Sequence, residues 1–173
     1  MTSPDDPEGW NSLRAGNSEA FERFYREHAP RLLRFLRHCL GDSKAAEDIS
    51  QEAFLELWQR PDGFNPARGT LKAYLFGIAA KRAADWWRRR PRFENPPGAV
   101  ASGGVGSSLL LKDAFEQLRP EWQSVLWLRE VEGYSYEELA RILDVPLGTV
   151  KSRLFAAREE LRRVWKAGEG GLS

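Results

Sequence analysis

Residues 91–108, PRFENPPGAVASGGVGSS, are too rich in proline, glycine and serine to form a helix or strand, and they split the chain into two blocks. The stretch reads as a linker, stiffer at Pro96-Pro97 and looser at its glycine-serine end. On both sides apolar residues recur three and four apart, the period of one helix face, and no run alternates as a half-buried strand would. The expected fold is all-α: two small helical domains, residues 10–90 and 109–167, joined by a flexible linker over residues 91–108. A chain of 173 residues has room for both. Its 42% hydrophobic and 29% charged residues suit packed cores rather than a disordered chain.

In the first block Phe21, Phe24, Tyr25, Leu32, Leu33, Leu36 and Leu40 predict a helical run, with a break or kink at Pro30. After a turn at Gly41-Asp42-Ser43, a second helix should bury Ile49, Ala53, Phe54, Leu57 and Trp58. Residues 60–69 form a loop. A third helix starts near Thr70, buries Leu71, Tyr74, Leu75, Ile78 and Ala79, and runs on into Trp86-Trp87-Arg88-Arg89-Arg90. In the second block Leu110, Ala114, Phe115 and Leu118 mark a short helix, and Pro120 opens another that should turn Val125, Leu126 and Leu128 inward and end by Gly133. The final residues, GEGGLS, read as a frayed tail.

Residues 133–163, GYSYEELARILDVPLGTVKSRLFAAREELRR, have the layout of a helix-turn-helix whose second helix enters the major groove of DNA. Ser135 followed by Glu138 is a capping box. Leu139, Ala140, Ile142 and Leu143 form one apolar stripe, Asp144 to Gly148 breaks the helix, and Val150, Leu154, Ala157 and Leu161 form the inner stripe of the next. Thr149, Lys151, Ser152, Phe155 and Arg158 then face outward, with Arg153 nearer the edge. Such groups reach phosphates, base edges and a thymine methyl. A plain helical hairpin with a solvated basic face is the rival reading. Gly148 and Thr149 favour DNA, because they let the helix start approach a phosphate.

Two further clusters stand out. Asp48, Gln51 and Glu52, with Glu47 and Glu56 beside them, lie three and four apart opposite the apolar stripe. They are either a solvated face or a docking surface for a basic partner. Paired carboxylates also raise acid-base chemistry, but no nucleophile or metal motif accompanies them. The second cluster is Lys81, Arg82, Trp86, Trp87, Arg88, Arg89, Arg90 and Arg92. Aromatic rings among arginines are the platform used for single-stranded nucleic acid. The alternative is that one tryptophan caps the core, although adjacent helical residues point about 100° apart and are hard to bury together.

A net charge of +1 leaves no bulk attraction for DNA, so contacts must come from local patches. The single cysteine, Cys39, excludes an internal disulfide and a cysteine-rich zinc site. With only His28 and His38 besides, neither a metal nor a cofactor is expected. The polar start, MTSPDDPEGW, and the lack of a long apolar run point to the cytoplasm and against membrane insertion.

On these residues the chain resembles the bacterial RNA polymerase sigma factors of the sigma-70 family, in the small extracytoplasmic-function (ECF) group. AEDISQEAFLELW, residues 45–58, resembles the part of sigma region 2 that docks on the polymerase clamp helices. FNPARGTLKAYLFGIAAKRAADWWRRR, residues 64–90, resembles the part that melts and reads the −10 element. Residues 118–163 resemble region 4, which reads the −35 element as duplex. The resemblance implies polymerase contacts at Asp48, Gln51 and Glu52. It implies −10 contacts at Tyr74, Lys81, Asp85, Trp86, Trp87, Arg88 and Arg89, and −35 contacts at Thr149, Lys151, Ser152, Arg153 and Phe155. Tyr74 replaces the family's usual tryptophan. Lys81 replaces its usual asparagine, and an ammonium cannot make an amide's paired contact.

The resulting expectation is a dissociable specificity subunit that binds core polymerase and promoter DNA, performs no chemistry itself, and is masked by an anti-sigma factor. A stand-alone helix-turn-helix regulator would account for residues 134–163 but would leave the acidic and Trp-Arg clusters without a role. A nuclease would need a metal or nucleophile motif that the sequence lacks.

Overall fold

The computed structural model describes residues 7–90 and 107–170, and all of its regular structure is helical. Four helices build the first block: α1 (Pro7–Arg14), α2 (Ser18–Leu40), α3 (Ser43–Gln59) and α4 (Leu71–Arg88). Four build the second: α5 (Ser107–Glu116), α6 (Pro120–Glu130), α7 (Tyr136–Ile142) and α8 (Leu147–Gly170). Most of the expected linker, residues 91–106, lies outside the described residues, as does Arg92. Ser107 and Ser108, read as its last residues, instead open α5.

Helix starts follow local chemistry. Asn17, Asp42 and Thr70 each accept backbone N–H bonds as the N-caps of α2, α3 and α4. Gly41, at φ 64°, ends α2 in the left-handed conformation that glycine adopts without strain. Of the break or kink expected at Pro30, no break occurs: α2 is continuous through it. Proline removes one backbone bond, to the carbonyl of Arg26. Both residues lie on the exposed face, where water can satisfy that carbonyl, while Phe24, His28, Leu32, Phe35 and Leu36 hold the other face in the core.

Helix α1 was not expected from the sequence. Its Trp10 and Leu13 are buried, and Trp10 meets Phe64 edge-on at 4.8 Å, pinning the loop before α4. Trp58, expected inside, is 37% exposed and leans on Phe21 at 4.8 Å. The tail is shorter than expected, because α8 runs to Gly170.

The two blocks are not separate globules. Gln123, Ser124, Val125, Leu126, Trp127 and Leu128 of α6 are all buried, so this helix is covered on every side. It packs on α8 of its own block and on α2 and α4 of the other. One apolar core therefore runs from Trp10 to Ala157.

Candidate nucleic-acid interface

Asp48, Gln51 and Glu52 are exposed on α3, as their spacing requires. Leu55 completes that face and is 51% exposed, an apolar member that sequence reasoning missed. Its signal was its position three and four residues after Glu52 and Gln51. Glu52 also has a partner within the chain. Arg82 of α4 donates through Nη1 to Glu52 at 2.6 Å, and through Nη2 and Nε to Glu56 at 2.6 and 3.2 Å. The acidic face and α4 are thereby clasped together.

On α4 itself, Lys81, Arg88 and Arg89 are exposed, while Tyr74, Asp85, Trp86 and Trp87 are half-buried. Tyr74 packs on Phe64 at 5.6 Å, and its hydroxyl lies where a Cβ on Gly63 would come within 2.4 Å. Burial, and then the nearby Glu56 carboxylate, push the Tyr74 phenol above its ordinary value, so its O–H keeps its proton. Asp85 pairs with Arg88.

The two tryptophans divide their duties. Trp87 donates its indole N–H to the Cys39 carbonyl at 3.1 Å, which fixes α4 on α2. Trp86 meets Trp87 edge-on, and the Arg90 guanidinium covers its ring at 3.7 Å. The pair is thus not two open stacking platforms: Trp87 packs against the core, and Trp86 lies beneath an arginine.

In the helix-turn-helix both halves of the capping box form. The Glu138 N–H donates to Ser135 Oγ at 3.1 Å, and the Ser135 N–H donates to Glu138 Oε2 at 2.7 Å. Asp144, at φ 51°, makes the turn, and aspartate is among the few side chains that tolerate this region. Pro146 stands one residue before α8 and accepts the N–H groups of Thr149 and Val150. Leu139, Val150, Leu154 and Ala157 are buried between the two helices.

Lys151 and Ser152 stand exposed, Phe155 is 70% exposed, and Thr149 and Arg153 are half-buried at the edges. Arg158, which the sequence turned outward, is tied to Glu130 at 2.6 Å. The outer face of α8 therefore offers an ammonium, a hydroxyl and an aromatic ring together. These are donors for phosphates and base edges and an apolar contact for a thymine methyl.

The structure also brings together groups that the sequence could not relate. Tyr74, Lys81 and Asp85 of α4 line one cleft with Arg141, Ile142 and Asp144 at the end of α7. A second groove, between α3 and α4, joins Asp48 and Glu52 to Trp86 and Arg89. Among the described residues no cluster of three metal-ligating side chains occurs, and no helix is long and apolar enough to cross a membrane.

The chain matches the family described as Sigma-70 region 2 over residues 24–93 and that described as Sigma-70, region 4 over residues 108–161. It is 30% identical to the ECF RNA polymerase sigma factor SigE of Mycolicibacterium smegmatis, over 91% of this chain and 68% of that protein. It is 32% identical to the ECF RNA polymerase sigma factor SigL of Mycobacterium tuberculosis, over 86% of this chain and 90% of that protein. Among solved structures it is similar to the sigma factor RpoE of Bartonella quintana, in complex with the anti-sigma factor NepR. That likeness has a TM-score of 0.67 at 27% identity, covering 84% of this chain and 96% of that one. CnrH, in complex with the cytosolic domain of CnrY, shares the fold with a TM-score of 0.72 at 23% identity, covering 94% of this chain and 98% of that one.

Proposed function

The chain belongs to the sigma-70 family of RNA polymerase sigma factors, in its extracytoplasmic-function group, and we propose that it divides the work of initiation among three faces. Asp48, Gln51 and Glu52 on α3, with Leu55 beside them, dock on core polymerase. Tyr74, Lys81, Asp85 and the Trp86-to-Arg89 end of α4 engage the opened −10 element, with Trp87 acting by holding α4 in place. Thr149, Lys151, Ser152, Arg153 and Phe155 on α8 read the −35 duplex. The chain makes and breaks no bonds; the polymerase performs the chemistry, in the cytoplasm.

The observation that carries this reading is the pairing of two exposed faces of unlike chemistry on one chain. Asp48 and Gln51 stand clear on α3, and Lys151, Ser152 and Phe155 stand clear on α8. One suits a basic protein surface and the other suits the major groove. A regulator acting alone on an operator needs only the second. Because the similar RpoE is bound by an anti-sigma factor, this chain is also read as the target of an inhibitory protein.

Run-off transcription from genomic DNA, with purified chain and purified core polymerase, tests the proposal. Defined start sites that depend on both components are expected. Tight binding to a specific duplex without polymerase, and no polymerase-dependent start, would leave the helix-turn-helix regulator as the better account.

A further inference from the structure

The loop that leads into α4 has almost no core of its own. It makes two single helical turns, Pro61–Gly63 and Pro66–Arg68, and neither buries a residue. Every residue from Arg60 to Thr70 is exposed except Pro61 and Phe64. Tight single turns have poor hydrogen-bond geometry, so the place of such a loop is set by what its few apolar side chains touch.

Phe64 touches two rings. Trp10 of α1 meets it edge-on at 4.8 Å, and Tyr74 of α4 lies against it at 5.6 Å, tilted by 47°. Aromatic pairs favour such edge and tilted arrangements, so the orientation of one ring constrains the next. Helix α1 is a firm support, because it packs on α2 and its Trp10 and Leu13 are buried. A second tie runs from Arg14 at the end of α1 to Asp62 in the first turn, at 3.0 Å. Both of its side chains are well exposed, so it contributes little beside the ring contact.

Tyr74 is bounded at its far end as well. A Cβ on Gly63 would strike the Tyr74 hydroxyl, while the ring carbon that bears it would stand at an ordinary 3.5 Å. Gly63 is not in the left-handed region, so what this glycine supplies is room for the hydroxyl. Tyr74 shares its cleft with Asn65 and Arg68 of the loop and with Lys81 of α4.

We propose that Trp10 is a positioning residue for capture of the opened −10 strand: α1 braces Phe64, and Phe64 and Gly63 together fix the Tyr74 ring. A ring held in place before the strand arrives loses little freedom on binding. This rests on the reading of Tyr74 as a −10 contact. The docking face of α3 and the outer face of α8 take no part, so only one of the three tasks depends on α1.

The test uses the chain bound to core polymerase and a fluorescent single-stranded oligonucleotide, copied from the −10 region of a start site found by run-off transcription. Trp10→Leu keeps an apolar residue in the core and loses the ring that reaches Phe64. It should weaken strand capture about fivefold or more, the low end of what one base–ring stack contributes. Core affinity and binding of −35 duplex should not change, and Trp10→Phe should retain most of the capture. Gly63→Ala, on an exposed turn, should weaken capture too, at an unchanged melting temperature. Tyr74→Phe removes the hydroxyl that the new methyl would strike. Adding it to Gly63→Ala should therefore restore capture to the level of Tyr74→Phe alone.

Full capture by Trp10→Leu and Gly63→Ala, beside a defective Tyr74→Ala, overturns the positioning role. So does a Trp10→Leu defect shared equally by core affinity and −35 binding, which marks a general loss of fold. Full capture by Tyr74→Ala would instead overturn the −10 reading of Tyr74 itself, which the first result leaves standing.

Discussion

Replacing Arg82 by alanine should loosen the joint between the acidic helix and α4. The guanidinium makes a fork on Glu56, with donors at 2.6 and 3.2 Å, and a single bond to Glu52 at 2.6 Å. The three side chains are 34%, 35% and 55% exposed, so water screens the pairs. Exposed ion pairs contribute about 0.2–1 kcal/mol, and a charge-assisted fork belongs at the upper end. The Glu56 arm is then worth about 1 kcal/mol and the more exposed Glu52 arm about 0.3 kcal/mol. Without Arg82, two carboxylates four apart on α3 repel by a further ~0.2–0.5 kcal/mol. The sum, about 1.5 kcal/mol, should lower the melting temperature by roughly 3–6 °C.

A double-mutant cycle of Arg82→Ala with Glu56→Gln, followed by urea unfolding, isolates the fork. A coupling near 1 kcal/mol that shrinks as salt is raised is expected. A coupling below about 0.3 kcal/mol, or one indifferent to salt, would refute the clasp. If the clasp sets α4 relative to the docking face, Arg82→Ala should also reduce open-complex formation more than core binding.

Asp48→Arg should abolish co-purification with core polymerase at an unchanged melting temperature, since Asp48 is exposed on α3; retained co-purification would reject the docking assignment. Lys151→Ala should weaken −35-dependent transcription and reduce the salt slope of DNA binding by about one, with core affinity unaffected. Equal loss of both activities would mean that the two faces do not divide the work.

His38 has its pKa held below the ordinary 6.5 by burial, then by the charges of Lys112 and Arg34, while Trp127 stacks on its ring. Its neutral form is the one that suits this partly buried place between α2 and α6. The unfolded chain therefore takes up a proton below pH 6.5 that the folded chain refuses, and stability falls as pH drops from 6.5 towards the lowered value. Thermal melts from about pH 7.5 to about pH 5.5 should show a steeper loss for the unmutated chain than for His38→Phe. Parallel curves would remove His38 from that role.

The second half of the molecule was largely legible in the sequence. The Ser135–Glu138 box, the Asp144 turn and the inner stripe Val150, Leu154 and Ala157 all depend on contacts within thirty residues, where spacing maps directly onto helix faces. Helix α1 was missed because only Trp10 and Leu13 mark it, and their partners Phe64 and the α2 face lie far along the chain. Trp87 reads as a stacking ring beside arginines. Its N–H is drawn inward by the Cys39 carbonyl, 48 residues away. Glu132 has no sequence signal at all, since a lone carboxylate in a turn looks solvated until Lys72 and Arg31 arrive from two other helices.

The sequence by itself settled most of the helical runs from α2 to α8, where the turn before α8 falls, and which side of α3 carries the acids. These follow from turn chemistry and from a period of 3.6, both local properties. Only the tertiary structure decided that α6 is buried on all sides, that the Ile142 carbonyl at the end of α7 rests on Gly77, and that Arg82 joins α4 to α3. Those outcomes depend on how distant surfaces pack. Packing reads the shape and charge left over after each helix has formed, and no local pattern contains it.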